Sequence, residues 1–316
     1  METNDDKEGP PFPPPPLITA LVFSGGGPAG LLNYGAAKYL ALANFWTLKN
    51  INRMDGCSIG AYLTVVLSLD YPFSWVDDYL IKRPWEKVLA KCLKVTSLWE
   101  MKGVLDVEFI KEMITPLLTA KGLGNDITLA GLYAFNQIEL HFYTTDVNAE
   151  QLVKVDLSHT THPDLTIVQA LHMSMAFPLA FTPVPYKESL YIDGGLLNNF
   201  PLNDCLSTVP TENVLAFKNV WSKTALGNIN VSKESSLAEF LMTVVKKMAF
   251  QLDTTDKQKV VPYTVECHLD SLDGFEDWVN TMSSPLSREV LVKKGEEDAQ
   301  LFLTEISHSQ PNLPKK

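Results

Sequence analysis

The sequence predicts a three-layer α/β/α fold around a central, mostly parallel sheet, and three observations carry that prediction. "LITALVFSGGG" (Leu17 to Gly27) is a short apolar run stopped by glycines, as expected of a buried strand entering a tight loop. A second strand–glycine–helix unit follows at once, through "RMDG" and "CSIGAYL", and two such units in succession describe parallel strands with helices on their faces. Finally, 316 residues, 46% of them apolar and 20% charged, are enough for one large core of ordinary composition.

The elements follow in order. Gly30 to Phe45, rich in Ala and Leu, reads as the first helix, and Ile59 to Leu69 as the second. Helical patterns recur at Trp75–Lys94, interrupted by Pro84, and at Val107–Leu118. "QIELHFYTTDV" (Gln137 to Val147) alternates as a strand does, and "QLVKVDL" is placed to pair with it as a hairpin. "LTIVQALHMSMAF" is helical until Pro178, and "LYIDGG" is a short strand running into a turn. "NVLAFKNV" and "VPYTVECHL" are the later strands; Ser235–Leu252 and Pro285–Ile306 are the later helices. With no internal repeat and no clean linker, residues 17–306 form one expected domain, its motifs in 17–202 and its completion in 203–306. Residues 1–16, acidic and then proline-rich, read as a disordered or polyproline lead-in, and 307–316 as a polar tail.

Several function classes are excluded early. With 37 acidic against 26 basic residues, the net charge of −11 opposes nucleic-acid binding and attraction to anionic lipid. It leaves contact with a neutral lipid surface open, because that contact rests on apolar burial. The four cysteines (Cys57, Cys92, Cys205, Cys267) are scattered and point to a reduced, intracellular protein. No histidine–carboxylate spacing suggests a metal site, and no cofactor is expected. The start lacks the basic and apolar regions of a signal peptide. The most apolar segment, Gly30 to Trp46, is short for a membrane span and carries Asn33, Lys38 and Asn44, so a buried helix is expected. The expected location is cytoplasmic, peripheral on membranes or lipid droplets.

Three stretches bear chemistry. "SGGGPAG" fits G-x-G-x-x-G over Gly25–Gly30. One use of such a loop is a dinucleotide turn, for which Asp55 is the nearby acid available to a ribose. The other is to aim bare N–H groups at a developing oxyanion. "GCSIG" places Ser58 between Gly56 and Gly60 at a strand-to-helix turn, the setting of a nucleophile elbow. Cys57, its neighbour, is expected to be buried and to point away from the cleft. In "LYIDGGLLNNFPL", Asp193 is either a turn residue or the base that a serine nucleophile needs. Of the six histidines, His268 and His308 follow the chain order of a Ser-Asp-His triad, but neither sits in an evident active-site turn, and His172 reads as a surface or packing residue.

Taken in order, these motifs resemble the patatin-like phospholipases over Leu17 to about Leu202: the glycine loop, the G-x-S-x-G about thirty residues on, and Asp193-Gly194-Gly195. "ALHMSMAFPLAFTPV", "DGGLLNNFP" and "YTTDVNAEQ" are similar to further segments of that family. The resemblance implies a Ser58–Asp193 dyad without histidine and an oxyanion hole from the amides of Gly25, Gly26 and Gly27. It implies hydrolysis of lipid acyl esters of the phospholipase A or lysophospholipase kind, with phospholipid or acylglycerol met at a lipid interface. One departure stands out: Ala29 occupies a position where the family usually has Arg or Lys. A catalytically weak lipid-binding protein, or a neutral-lipid hydrolase or transacylase, are the alternatives on the same fold. The aromatic stretch Phe73 to Met101 reads as a helical layer burying its rings, with an interfacial edge as the other option.

Overall fold

The computed structural model describes residues 16–94, 98–221, 231–255, 259–269 and 275–309. Residues 1–15 of the expected lead-in, and 310–316 of the expected tail, lie outside the described residues; the last helix runs on to Ser309, beyond the Ile306 expected.

Among the described residues ten strands occur in chain order: β1 Ala20–Phe23, β2 Arg53–Cys57, β3 Gly103–Leu105, β4 Glu139–Asp146, β5 Val153–Leu157, β6 Leu179–Phe181, β7 Val184–Tyr186, β8 Ser189–Asp193, β9 Val214–Trp221 and β10 Tyr263–Leu269. The main sheet has eight strands in the order β10-β9-β1-β2-β4-β8-β7, with β5 also on β4. Pairing is parallel from β10 through β4 and antiparallel at β4–β5, β4–β8 and β7–β8, so the expected hairpin of β4 and β5 is present. Helices cover the sheet, and the fold is the three-layer α/β/α arrangement.

Strand alternation divides the core. On β1 and β9, Leu21, Phe23, Leu215 and Phe217 face the larger apolar cluster, where Phe23 and Phe217 stack at 4.8 Å. Ala20, Val22, Val214 and Ala216 face a smaller one, closed by Phe200, Leu202 and Cys205. Both faces being buried, β1 shows no polar alternation. The first helix, Gly30–Leu42, packs against the last, Pro285–Ser309, and the contact depends on a glycine in each. A Cβ on Gly35 would stand 2.0 Å from the Val292 carbonyl oxygen, and one on Gly295 2.0 Å from that of Leu32. Lys38, nearly buried beside this contact, bridges Asp77 at 3.0 Å and Glu296 at 2.7 Å.

The aromatic stretch is divided. It forms a helix over Phe73–Asp77, one π-helical turn over Asp78–Lys82, and a separate helix Trp85–Cys92 after Pro84. Trp85 is buried, whereas Trp75 and Trp99 are 62% and 76% exposed. The layer therefore buries only part of its aromatics.

One feature of register positions the site. Both β2 and β8 pair with β4 on the edge opposite β5, running in opposite directions, so they lie end to end. Cys57 of β2 sits across from Tyr143, and Asp193 of β8 across from Thr144, the next residue. The carboxyl ends of two strands distant in sequence thus meet head to head.

Candidate active site

Ser58 follows β2 and caps the buried helix Ile59–Ser68, with a strained backbone (φ 54°, ψ −123°). A left-handed φ is costly for a non-glycine residue, and such strain concentrates at functional turns. The bend needs bare flanks: a Cβ on Gly56 would come within 2.4 Å of the Gly60 backbone, and one on Gly60 within 2.5 Å of the Phe23 carbonyl oxygen. The Ser58 N–H donates to Ser174 Oγ at 3.0 Å, and that hydroxyl donates in turn to the Tyr143 carbonyl at 2.7 Å. This anchors the turn to β4.

The head-to-head strands bring Ser58 Oγ to 2.6 Å from Asp193 Oδ2. Asp193 is 2% exposed. Its other oxygen accepts the Gly195 N–H at 2.7 Å, and Cys57 Sγ lies 3.9 Å from it. Cys57 is buried as expected, yet it touches the carboxylate rather than merely filling space. Burial raises the Asp193 carboxyl to about 6, while hydrogen bonds from Ser58 and Gly195 hold it lower than burial alone would. Gly194 packs directly on the Tyr143 carbonyl.

Beside this pair runs the glycine loop. Gly26 (φ 147°) and Gly27 (φ 56°) adopt backbone angles that side chains disfavour. Among the described residues, no protein group accepts from the N–H of either, and both line the cleft. Gly25 departs from expectation. Its N–H donates to the Asn199 carbonyl at 2.9 Å, so it braces the loop and is not open to an oxyanion. The Gly25 carbonyl accepts from Asn219 Nδ2 at 3.0 Å, and Ser24 Oγ accepts the Asn219 N–H at 2.9 Å. Gly30 opens the first helix against Ile59, and Ala29 is fully buried.

The cleft above Ser58 has a volume of about 260 Å³. Its wall includes Tyr62, Met113 and Phe181 from the motif-bearing part, and Trp221, Met242, Phe250 and Trp278 from beyond Leu202. Sequence reading gave no role to those later residues, because an apolar wall needs only bulk and carries no residue-type signature. Asn219 is different: an asparagine inside the apolar run "NVLAFKNV" is a buried polar group that needs a partner, and that signal was legible.

The other candidates fall away from the cleft. Asp55 is fully buried, held by Arg53 at 2.7 and 2.8 Å and by the Tyr143 hydroxyl at 2.7 Å, so it cannot serve a ribose. His268 lies on β10, 3.7 Å from Asp298, and His308 bonds the Thr304 carbonyl on the last helix. His172 packs in the interior beside Thr182, and burial pushes it down to about 4. No histidine occurs among the described residues lining the cleft. Among the described residues no cluster of metal-ligating side chains is found, and no helix is long and apolar enough to cross a membrane.

Comparison with known proteins places these features in a lineage. A family model described as patatin-like phospholipase matches residues 21–206. An uncharacterized protein of Acanthamoeba polyphaga mimivirus is 25% identical over 186 residues, 58% of this chain and 60% of that protein. A probable lipid hydrolase of Invertebrate iridescent virus 6 is 26% identical over 204 residues, 63% of this chain and 68% of its own length. The chain thus spans less than two thirds of the first of these relatives. Among solved structures, VipD from Legionella pneumophila superposes with a TM-score of 0.55 at 15% identity, covering 92% of this chain and 67% of VipD. That last likeness is one of fold.

Proposed function

The chain belongs to the patatin-like phospholipase family, and from that premise we propose that it hydrolyses acyl esters of lipids, of the phospholipase A or lysophospholipase kind, through a Ser58–Asp193 dyad. The observation that carries this reading is the 2.6 Å contact between Ser58 Oγ and the buried Asp193 carboxylate at the foot of an apolar cleft.

Ser58 attacks the ester carbonyl carbon while its proton passes to Asp193 Oδ2. A serine hydroxyl is a far weaker acid than a carboxyl, so transfer ahead of attack is steeply uphill; the proton moves as the oxyanion forms. Three features favour that movement. Burial raises Asp193 to about 6 and makes it a stronger base than an exposed aspartate. The amides of Gly26 and Gly27 are the open donors for the oxyanion. The N-terminus of the Ile59–Ser68 helix adds its partial positive charge. The tetrahedral intermediate then expels the alcohol, which takes the proton from Asp193. Water, deprotonated by the same carboxylate, attacks the acyl-Ser58 carbonyl. The intermediate breaks its bond to Ser58 Oγ, which takes the proton back from Asp193, and the fatty acid leaves.

Asp193 must be ionised to act as base, so kcat/KM climbs as pH rises through about 6 and levels off above it. A fluorophosphonate probe should label Ser58 and no other serine. Ser58→Ala and Asp193→Asn should each lower ester hydrolysis by about 10⁴-fold or more while leaving the circular-dichroism spectrum unchanged. Conversely, a His268→Ala or His308→Ala variant as inactive as Ser58→Ala would replace the dyad with a triad.

A further inference from the structure

The helix Leu237–Thr255 exposes apolar side chains to water alongside its exposed Glu239, Lys247 and Gln251. It starts from a reciprocal cap, in which Ser236 N–H donates to the Glu239 carboxylate and Glu239 N–H to Ser236 Oγ. It lies over the Gly194–Leu196 turn whose Gly195 holds Asp193. On one side, Met242, Ala249 and Phe250 line the cleft, Phe250 edge-on to Trp221 at 5.5 Å. Leu237, Phe240, Leu241, Val244 and Met248 are each 37–57% exposed. At 100° per residue these five fall within one stripe, interrupted by Gln251 and edged by Lys247, roughly opposite the cleft-lining side.

Resting on the hydrolase reading above, we propose that this outer stripe is the surface by which the protein docks on a zwitterionic lipid layer. The helix would lie in the interface plane, its outer side chains among the acyl chains and its inner ones over Ser58. Three considerations favour that occupant. First, the same helix forms the wall of an apolar cleft, so docking there leaves a lipid ester about one helix diameter, roughly 10 Å, from the cleft. Second, five half-exposed side chains on one helix offer a few hundred Å² at most, against about 800 Å² per partner for a stable protein interface. A second copy of the chain is therefore a poor fit. Third, the net charge of −11 disfavours anionic lipid, which leaves apolar insertion as the driving force and a zwitterionic surface as the match. Exposed Trp75 does not belong to this stripe: it stacks on Tyr71 at 5.8 Å and is supported by its own protein neighbour.

The test is flotation of the full chain with vesicles of pure phosphatidylcholine, alongside turnover of the soluble ester p-nitrophenyl butyrate. The wild type should float, and Leu241→Glu/Met248→Glu should lower the bound fraction by about tenfold or more. Soluble-ester turnover and the melting temperature should stay close to wild type, showing that the fold and cleft are intact. Leu301→Glu, at a position 62% exposed on the last helix, should float like wild type. The proposal is overturned if wild type does not float, if the double variant floats equally well, or if the double substitution converts a dimer to a monomer on gel filtration. Stripe-dependent flotation without soluble-ester hydrolysis by wild type would support the docking surface and overturn the hydrolase reading instead.

Discussion

The floor and the roof of the cleft come from different parts of the chain and are built on different rules. The floor, from residues 20–200, consists of positions where the backbone, or on the proposed reading the chemistry, dictates residue type: bare glycines at 26, 27, 56 and 60, a hydroxyl at 58 and a carboxylate at 193. The roof and far wall, from Trp221 to Met282, are apolar apart from Lys246, and at those apolar positions any bulky side chain serves. The matched family region ends at residue 206, so it contains the floor and omits the roof. The boundary of a motif region is therefore not the boundary of a folding unit.

Truncation tests that distinction most severely. β9 pairs with the whole length of β1 through Val214–Phe217, and β10 pairs with β9 on its other edge. A chain ending at residue 206 would leave β1 with a bare edge and strip Val214 and Ala216 from the smaller core cluster. We expect no cooperative thermal transition from it. A sharp transition with retained near-ultraviolet dichroism would show that the floor folds alone.

A single side chain at the seam should do nearly as much. Gly295→Val would drive a Cβ into the Leu32 carbonyl, 2.0 Å away, where neither helix backbone can yield cheaply. The expected cost is about 3 kcal/mol or more, read from chemical denaturation. The paired glycines at 35 and 295 were not legible in the sequence. A glycine inside a helical pattern signals a close approach without naming what approaches, and the partner lies 260 residues away. The same limit hid the short strands β3 and β6, which pair with each other, and the helix Leu129–Asn136. What was legible had a local cause. The buried strands show as apolar runs, the tight loops as glycines, and the β4–β5 hairpin as alternation on both sides of a polar turn. Ser58 and Asp193 could be nominated from their neighbours, but their contact depends on the end-to-end strands, which no local pattern records.

Asn219 sharpens the comparison, because it belongs to the later part of the chain yet serves the floor. Its amide and backbone N–H hold the Gly25 carbonyl and the Ser24 hydroxyl. Asn219→Leu should let the glycine loop drift and lower kcat by about 10- to 100-fold. Stability should change by only about 1 kcal/mol, because Asn219 Oδ1 is already buried without a partner and its removal offsets the lost hydrogen bond. If stability falls instead and kcat survives, Asn219 is a core residue and the floor is complete without the later strands.

The smallest effect should come from the roof itself. Phe250 lines the cleft and meets Trp221 edge-on, at 84° between ring planes. It reaches none of the hydrogen bonds that set the Ser58–Asp193 geometry. On the proposed reading, truncating it removes apolar contact from an acyl chain in the cleft, with each buried methylene worth about 0.8 kcal/mol. A butyryl ester is too short to use that wall fully, whereas a palmitoyl ester spans it. Phe250→Ala should therefore lower kcat/KM for long-chain esters by about three- to tenfold and leave butyryl turnover close to wild type. A loss independent of chain length would mean that the roof also positions the reacting carbonyl, and the division between a floor that sets rate and a roof that sets fit would fail.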